Sequence, residues 1–566
     1  MTWSDSVASN QDIHKQAFLK SKYPKKAETY KAWFIIMSES SSIVTVSSER
    51  LHPRQSSRAK SIPLSILDSK VLNFSCTAGL WAFSSLLDPA RLKKSLLATL
   101  SAGYSQWAGR LRLTNKGAPG HFPAHSARFA RVYLDIPGDG SEDGPGVAFV
   151  VSSSEGSLVS RFRDRPSGAK VWDAGDITHI DGLFPADIPL ALSNLQEDDK
   201  SPAVIIQVTT FSCGGTVVAV KMAHVLGDAQ TLATFLTDWS STHRRMANNE
   251  ASELVAPLFD PSLLDQRATP NIDSDVPDES SLARARRLPM SRNDWWAAPA
   301  SGTTPSWATT IATIPPHLKS EHIQQETPMA WSEWDLGVPV KDTRILLTAD
   351  DIDKIWNACS EGLDSQDVRI SKFDAIQAFI WTILLRARRA QLADAGDDTA
   401  VLNITLGARE RIKPPLPSRF LGSPIFLARV EAYLAADGSL KDSMGDLAAS
   451  IRRTVQLFDD AAVGNVLHEM AHEVCPYRTW GAFLGRRTSI VTSWVRLKVY
   501  DVDFGVGRPV AVEAVMPSMD GCIHVMEAKP TFSPGPRWYE DGIIVSVSLR
   551  EDVAKRLSED PLLKGP

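Results

Sequence analysis

The sequence lacks the marks of a membrane, secreted or nucleic-acid-binding protein. Its longest apolar run, residues 375–385, contains Gln377 and is shorter than the roughly twenty residues of a membrane-spanning helix. Lys and Arg number 61 against 66 Asp and Glu, a net charge of −5, so no overall basic surface for nucleic acid is expected. The five cysteines are odd in number and widely spaced, which does not indicate a disulfide framework.

Targeting signals are also missing at both ends. The first residues contain no apolar block preceded by positive charge, and the final LLKGP is not a peroxisomal address. We therefore expect a cytoplasmic protein. With 566 residues, 43% hydrophobic and 22% charged, the chain is long and apolar enough for large buried cores.

Composition and periodicity divide the chain into four parts. Residues 1–36 are polar and lysine-rich, and we interpret them as a mobile extension before a first strand at 42–48. Residues 37–255 contain a helix that begins after Asp88 and two β-rich runs, 204–211 and 216–222. Residues 256–335 are rich in Pro, Ser and Asp and indicate a crossover. Residues 336–566 contain a helix capped by Ser371 and Asp374, and strands at 494–500 and 542–549.

One short motif suggests a metal. His468, Glu469 and His472 match H-E-x-x-H, which on a helix places two imidazoles on one face to bind zinc, with the glutamate as general base. The metzincin continuation fails, because Cys475 and Arg478 occupy the positions of its glycine and third histidine. A zinc-dependent hydrolase is therefore an alternative that still needs a third ligand.

The other candidate is His224-Val-Leu-Gly-Asp228, at the end of the run 216–222 and the start of an amphipathic helix. Imidazole has the pKa required of a general base, whereas an aspartate at a helix start is also a favoured cap. These residues alone leave a catalytic and a purely structural interpretation open. No G-x-S-x-G elbow, Walker loop or dinucleotide fingerprint competes with them.

Downstream, the sequence Asp503-Phe-Gly505-Val-Gly507 supplies a second signature. The two motifs, in this order, resemble the HXXXD and DFGWG signatures of the BAHD acyltransferases. Six further blocks are similar to blocks of that family, in the same order: 63–68 (PLSILD), 108–111 (AGRL), 211–215 (FSCGG), 373–381 (FDAIQAFIW), 409–417 (RERIKPPLP) and 492–494 (TSW). Three positions depart from the family pattern: Val506 replaces Trp, Ala229 replaces Gly, and Gly422-Ser423 replaces the usual Gly-Asn.

The resemblance implies an α/β fold of two chloramphenicol acetyltransferase-like domains. Each has a mixed β-sheet with flanking helices, and an active-site channel lies at their interface. It also implies transfer of an acyl group from acyl-CoA to a hydroxyl or amine of a small acceptor, for which we expect a specialised metabolite. Acyl-CoA would be a co-substrate, with no permanently bound cofactor or metal, and the protein would be a monomer. A non-catalytic binding protein with the same fold remains an alternative.

By the same resemblance, residues receive expected roles. His224 is the general base, and Trp494 donates its indole N–H to the developing oxyanion, although a simple core role for Trp494 stays open. Thr492 lies near the acyl path. Asp228 pairs with Arg409 or Arg411, and Asp503 and Gly505 shape a loop away from the reacting atoms. The candidates for binding the coenzyme phosphates, which could equally form a solvated helix face, are Ser371, Lys372, Arg386 and Arg388.

Overall fold

The structure is a computed structural model of the full chain. It describes residues 43–54, 58–162, 165–174, 180–192, 198–250, 255–299, 303–318, 323, 325–334, 337–361, 363, 368–393, 399–531 and 537–564. The predicted extension at 1–36 lies outside these residues. Within the described part of the chain, no helix is long and apolar enough to cross a membrane.

Strands are distributed along the whole chain. In chain order they are β1 (Ile43–Leu51), β2 (Lys60–Pro63), β3 (Thr77–Phe83), β4 (Arg110–Leu113), β5 (Val132–Ile136), β6 (Val147–Ser154), β7 (Val171–Asp173), β8 (Val204–Phe211), β9 (Thr216–Met222), β10 (Asn293–Asp294), β11 (Thr327–Pro328), β12 (Val340–Leu347), β13 (Thr399–Gly407), β14 (Ile425–Tyr433), β15 (Thr479–Trp480), β16 (Thr488–Ser493), β17 (Ala511–Ala514), β18 (Cys522–Glu527) and β19 (Ile543–Arg550).

Helices lie between these strands. They are α1 (Ile66–Lys70), α2 (Pro89–Thr99), α3 (Ala124–Ala127), α4 (Leu158–Arg161), α5 (Ala229–Ala247), α6 (Ser262–Asp265), α7 (Glu279–Arg286), α8 (Thr309–Ala312), α9 (Ala349–Ser360), α10 (Lys372–Ala393), α11 (Met444–Gln456), α12 (Asp460–His472) and α13 (Glu551–Ser558). Their starts follow local capping chemistry. The Asp88 side chain accepts from the N–H of Ala90 before Pro89 begins α2, and Ser371 and Asp374 exchange hydrogen bonds at the start of α10, as predicted.

Two large mixed sheets organise the molecule. The first has the strand order β1-β6-β8-β9-β3-β17, with a parallel pair at β6–β8 and antiparallel pairs elsewhere. The second has the order β14-β13-β16-β18-β19-β12-β7, with parallel pairs at β13–β16 and β16–β18. Two three-stranded sheets, β2-β5-β4 and β11-β10-β15, complete the described set.

The two large sheets exchange edge strands. β17 comes from the C-terminal half of the chain and pairs with β3 in the first sheet, whereas β7 comes from the N-terminal half and pairs with β12 in the second. Each large sheet is therefore completed by the other half of the sequence. The four-part division predicted from composition stays a prediction.

Each large sheet has its own core. α10 buries most of its length against the second sheet, with Phe379, Trp381 and Leu384 fully buried. α2 and α5 pack against the first sheet through residues such as Leu96 and Trp239. α10 is apolar on nearly every side, and such a helix must be buried all round. The second sheet covers one side of it, and α9, α11 and α13 cover the others.

Most strand and helix predictions are confirmed, and one is wrong. The runs 204–211 and 216–222 form the antiparallel pair β8–β9, and the predicted strand at 542–549 is β19. The predicted strand at 494–500 is instead a loop that follows β16. Arg496 and Lys498 have positive φ there, and a one-turn helix begins at Val499, so the extended path has ended.

Candidate active site

His224 lies at the junction of β9 and α5. β9 ends at Met222, and a short 3₁₀ turn, His224–Leu226, leads to Gly227 and then to α5. The imidazole is half-buried, and the Phe74 ring packs against it in a T-shaped arrangement with 5.5 Å between the ring centroids. Burial lowers the pKa of His224 below its usual value, although the charge of Asp228 partly opposes this shift. The imidazole is therefore neutral near pH 7, as a base must be.

Ser423 contacts the imidazole at Nδ1. Its hydroxyl donates to the main-chain carbonyl of His224 at 2.6 Å, and its oxygen lies 2.9 Å from Nδ1 of the ring. Because the hydroxyl proton is used on the carbonyl, the oxygen accepts from Nδ1–H. This tautomer leaves the lone pair on Nε2, where a substrate proton could be taken. Sequence reasoning gave Ser423 no role, although its departure from the family's Gly-Asn marked the position.

Asp228 does not contact the imidazole. Its carboxylate caps α5 through the N–H of Thr231 and forms a two-fold ion pair with Arg409 at 2.5 and 3.0 Å. Both partners are buried, with exposed fractions of 7% and 4%. Arg411, the other expected partner, instead donates to the carbonyls of Val455 and Phe458. Asp228 therefore holds the turn that carries His224.

The loop around Asp503 is closed on itself. One carboxylate oxygen of Asp503 accepts from the main-chain N–H groups of Gly505, Val506 and Gly507 at 2.7, 3.1 and 2.9 Å. Gly505 and Gly507 have φ of +91° and +90°, a conformation that favours glycine. The adjacent Phe504 is buried, with its ring centroid 5.0 Å from that of Trp239 on α5. Phe504 therefore anchors this loop to the core of the first sheet.

Trp494 follows β16 and lies against the first sheet. Its ring packs on Gly79 of β3, where an added Cβ would be 3.0 Å from Cη2, so a side chain at that position would push the indole away. Among the described residues, the indole N–H of Trp494 has no hydrogen-bond partner, although its ring is 4% exposed and contacts His524 edge-on at 5.6 Å. Trp494 is therefore a core residue whose donor is still available.

A row of side chains crosses the second sheet beside Trp494. Thr492 on β16 pairs in register with His524 on β18, His524 with Ser546 on β19, Ser546 with Arg344 on β12, and Arg344 with Trp172 on β7. Paired residues point to the same face of a sheet. That face forms one wall of a cavity of about 440 Å³, and β17 of the first sheet lines the opposite side.

Polar groups of both sheets meet across this cavity. Arg344 forms a two-fold ion pair with Glu513 of β17, both distances being 2.8 Å, and a further contact with Asp342 at 3.0 Å. Burial lowers the pKa of His524 to about 4, and its Nε2 has no partner among the described residues. Sequence reasoning did not identify Arg344, Glu513 or His524, since no motif marks them.

The four candidates for phosphate binding lie at or on α10. Ser371 caps that helix, and the ammonium of Lys372 pairs with Asp353. Arg386 is exposed and pairs with Asp560 at 2.8 Å. Arg388 is fully buried, donates to the carbonyls of Gly485 and Arg486, and lies 2.9 Å from Asp520. The burial of Arg388 argues against contact with a phosphate. The roles of all four stay predictions.

The H-E-x-x-H residues on α12 have structural partners. His468 accepts the N–H of Asp278 at 2.9 Å, and the two ring nitrogens of His472 lie 2.9 and 3.0 Å from main-chain carbonyl oxygens. Glu469 forms a two-fold ion pair with Arg292 at 2.9 Å. Across the described residues, no group of three or more His, Cys, Asp or Glu side chains is placed to hold a metal ion. The zinc-hydrolase alternative is not supported.

Comparison with known proteins decides the family. The model of the Transferase family, to which the BAHD acyltransferases belong, matches residues 143–560, which include both signatures and most of the site described above. The chain is a BAHD acyltransferase family member.

Relatives of this BAHD chain come from fungi and plants. An acyltransferase of Alternaria alternata, AFT15-1, is 28% identical over 75% of the chain and 78% of its own length. The acyltransferase abl6 of Leptosphaeria maculans is 25% identical over 92% of the chain and 98% of its own length. Putrescine hydroxycinnamoyltransferase 1 of Oryza sativa is 23% identical over 70% of the chain and 78% of its own length.

Solved structures agree on the fold. Vinorine synthase has a TM-score of 0.57 at 19% identity, with 91% of the chain and 96% of vinorine synthase covered. TRI101 of F. graminearum in complex with ethyl coenzyme A has a TM-score of 0.56 at 14% identity, with 89% and 98% covered. The predicted fold class is confirmed: two chloramphenicol acetyltransferase-like units, each built on a mixed sheet with flanking helices. The active-site channel at their interface stays a prediction.

Proposed function

We propose that this protein transfers an acyl group from an acyl-CoA thioester to a hydroxyl or amine of a small specialised-metabolite acceptor. The observation that carries the proposal is the placement of His224: its Nδ1 lies 2.9 Å from the Ser423 hydroxyl, which donates to the His224 carbonyl, so Nδ1 carries the proton and Nε2 is left to act as the base. The name of a relative in Actaea racemosa, hydroxycinnamoyl-CoA:piscidic acid hydroxycinnamoyltransferase, supports a coenzyme A donor. The names of other relatives include N-acyl transfer, so both acceptor types stay within the proposal.

In the proposed mechanism, Nε2 of His224 removes the acceptor proton while the acceptor oxygen or nitrogen attacks the thioester carbonyl. The carbonyl π bond opens, and its electron pair forms an oxyanion. When the tetrahedral intermediate collapses, the carbon–sulfur bond breaks and the imidazolium returns the proton to the thiolate. No acyl-enzyme and no metal is needed for this balance. Ser423 keeps the ring oriented throughout, because its hydroxyl accepts only from Nδ1–H.

The oxyanion requires a donor that is in place before the reaction. We assign this role to the indole N–H of Trp494, whose position is held by Gly79 and by the ring of His524. One such donor contributes about 3 to 4 kcal/mol in other acyl-transfer sites. Thr492, on the strand that leads to Trp494, is proposed to border the acyl path.

The remaining assignments follow the same scheme. Acyl-CoA is a co-substrate, and no permanently bound cofactor is proposed. Lys372 and Arg386 are the better phosphate candidates, because their charged groups are only partly buried while Arg388 is enclosed. A cytoplasmic location and a monomeric state stay predictions.

The test measures thiol release from acetyl-CoA and longer acyl-CoA thioesters with a panel of alcohol and amine acceptors, followed by mass spectrometry of the acylated product. His224→Ala is expected to lower turnover by about two orders of magnitude or more, since the base is removed. His472→Ala is the matched control, because that imidazole lies by the carbonyls of His468 and Ser274 and the ring of His468, and has no proposed role in acyl transfer.

Each outcome of the thiol-release assay supports or contradicts one hypothesis. Loss of activity in His224→Ala with wild-type turnover in His472→Ala supports the proposal. Full activity in a folded His224→Ala variant would refute His224 as the base. Activity lost in His472→Ala and restored by zinc would return the hydrolase alternative, and no thiol release with any donor would favour the non-catalytic binding protein.

A further inference from the structure

Ser423 is held by a second residue, Asp68, which belongs to a distant part of the chain. The main-chain N–H of Ser423 donates to Oδ1 of Asp68 at 2.6 Å, and the two residues are 355 positions apart. Both are buried, with exposed fractions of 2% for Asp68 and 0% for Ser423. Burying a carboxylate costs solvation free energy, so the hydrogen bonds that Asp68 makes in the folded protein must offset that cost.

The local role of Asp68 uses only one of its oxygens. Asp68 is the third residue of α1, and its Oδ2 accepts from the N–H and hydroxyl of Ser65 at 3.1 and 2.7 Å in a capping box. Helix capping therefore accounts for Oδ2 and leaves Oδ1 unexplained. Oδ1 is directed instead at the segment that carries the hydroxyl bound to His224.

The rest of that segment is fixed at Gly422. The Gly422 carbonyl accepts from the N–H of Asp228, the hydroxyl of Thr231 and the guanidinium of Arg409 at 3.2, 3.0 and 3.1 Å. These bonds hold the residue before Ser423 to the turn that carries His224. The Ser423 N–H is the next polar group along the chain, and Asp68 is its acceptor.

We propose that Asp68 is a positioning residue for the reaction: its Oδ1 holds the main chain of Ser423, and thereby places the Ser423 hydroxyl that orients His224. The inference rests on the proposed function in so far as His224 is the base. It assigns no contact with substrate to Asp68. The chain of contacts is direct, from Asp68 to the Ser423 N–H and from the Ser423 hydroxyl to Nδ1 of His224.

The burial of Asp68 makes this contact sensitive to pH. Asp265 of α6 accepts the N–H of Ile66 and lies 3.3 Å from the imidazole of His125. On the other side of the contact, the Asp228–Arg409 ion pair is joined to the Ser423 segment through the Gly422 carbonyl. Burial, with a smaller contribution from Asp265, raises the pKa of Asp68 to about 7. Below that pH the carboxyl is protonated, and a proton on Oδ1 would face the Ser423 N–H and remove that hydrogen bond.

The experiment measures kcat and KM from pH 5.5 to 8.5 for three variants. Asp68→Ala removes the acceptor, and we expect kcat to fall about tenfold with KM within about twofold, because misplacing a catalytic group acts mainly on the chemical step. Asp68→Asn keeps an amide oxygen for the Ser423 N–H but cannot ionise, so the acid side of its kcat profile should lose one ionisation. Ser443→Ala removes the same kind of N-cap hydroxyl from α11, where it contacts Asp446 rather than Asp68, and should lower the melting temperature without changing kcat.

A second readout does not depend on activity. In protein labelled with ¹⁵N-histidine, the His224 signals, assigned by their absence in His224→Gln, should report protonation at Nδ1 in the wild type and mixed tautomers in Asp68→Ala. If wild type releases no thiol, the proposed function fails, while the tautomer result still decides the role of Asp68. Folded Asp68→Ala and Asp68→Asn variants with the kcat, pH profile and Nδ1 signal of wild type would overturn the inference. If Asp68→Ala does not fold, Asp68→Asn decides alone through its pH profile.

Discussion

The two nitrogens of the His224 imidazole have different surroundings, and this difference defines the site at the residue scale. Nδ1–H is bound to Ser423, and the lone pair of Nε2 is left for a substrate proton. Asp228, which the motif places four positions away, takes no part in this contact because both of its oxygens bind Arg409. The arrangement therefore differs from a serine-protease triad, in which the aspartate orients the base.

Trp494 provides the prediction at this scale. Trp494→Phe keeps an aromatic ring against Gly79 but removes the indole N–H. We expect kcat to fall about 100- to 1,000-fold with little change in KM, because an oxyanion donor acts mainly in the transition state. Steady-state kinetics by thiol release make the measurement.

Trp381→Phe is the matched control, because Trp381 is buried in the core of the second sheet and its loss should lower stability only. Equal decreases of kcat in both variants would mean that Trp494 acts only through packing.

The turn from β9 to α5 is the element on which the site depends. It contains a 3₁₀ turn, a glycine and a helix cap. Gly227 has no room for a side chain, since an added Cβ would be 2.4 Å from Cγ2 of Thr231. The anchor is Arg409, which reaches the Asp228 cap and the Gly422 carbonyl together.

Breaking this anchor should destabilise the protein strongly. Asp228→Ala leaves the buried guanidinium of Arg409 uncompensated, and we expect a loss of about 3 to 5 kcal/mol in the free energy of unfolding. The double variant Asp228→Ala/Arg409→Met should lose less than the sum of the two single variants, because they remove the same pair. Urea unfolding measures all three.

The control for Asp228→Ala is a helix-capping aspartate that forms no ion pair with an arginine. Asp459→Ala removes only the acceptor for the N–H of Ala462 at the start of α12, a change of about 1 kcal/mol. A loss in Asp228→Ala no larger than this would show that the Arg409 pair contributes little.

At the scale of the whole molecule, the two sheets share strands and enclose polar groups between them. β7 and β17 are each supplied by the opposite half of the chain, and the Arg344–Glu513 pair joins β12 to β17 across the cavity. His524 lies beside this pair and beside Trp494. The halves are therefore linked by main-chain pairing, by an ion pair and by a buried imidazole.

His524 should make the folded state sensitive to acid. Its pKa is about 4 in the folded protein against an ordinary value of 6.5, because burial disfavours the charged ring. Between these values the unfolded chain binds the proton and the folded chain does not, so stability present above pH 6.5 is lost as the pH falls towards 4. The full loss is about 3 kcal/mol.

Melting temperatures at pH 7 and pH 4.5 measure this effect. His524→Phe should show a smaller decrease than wild type, and His121→Gln, which alters an exposed histidine, should show the wild-type decrease. An unchanged decrease in His524→Phe would assign the acid sensitivity to other groups.

The local elements were largely predictable from the sequence. Capping residues such as Asp88 and Ser371 and the alternation in 204–211 and 216–222 act over a few positions, so they can be recognised without tertiary information. The error at 494–500 has the same origin: apolar residues suggested a strand, but positive φ at Arg496 and Lys498 is imposed by the turn after β16.

What the sequence determined by itself is most of the elements, the two signatures and hence the family. Only the tertiary structure decided which groups meet at the site: Arg409 rather than Arg411 with Asp228, and Ser423 and Asp68 behind His224. Helix and strand signals arise from neighbouring residues, whereas these contacts join positions 181 to 355 residues apart. They depend on how two sheets exchange strands and dock, which no local pattern contains.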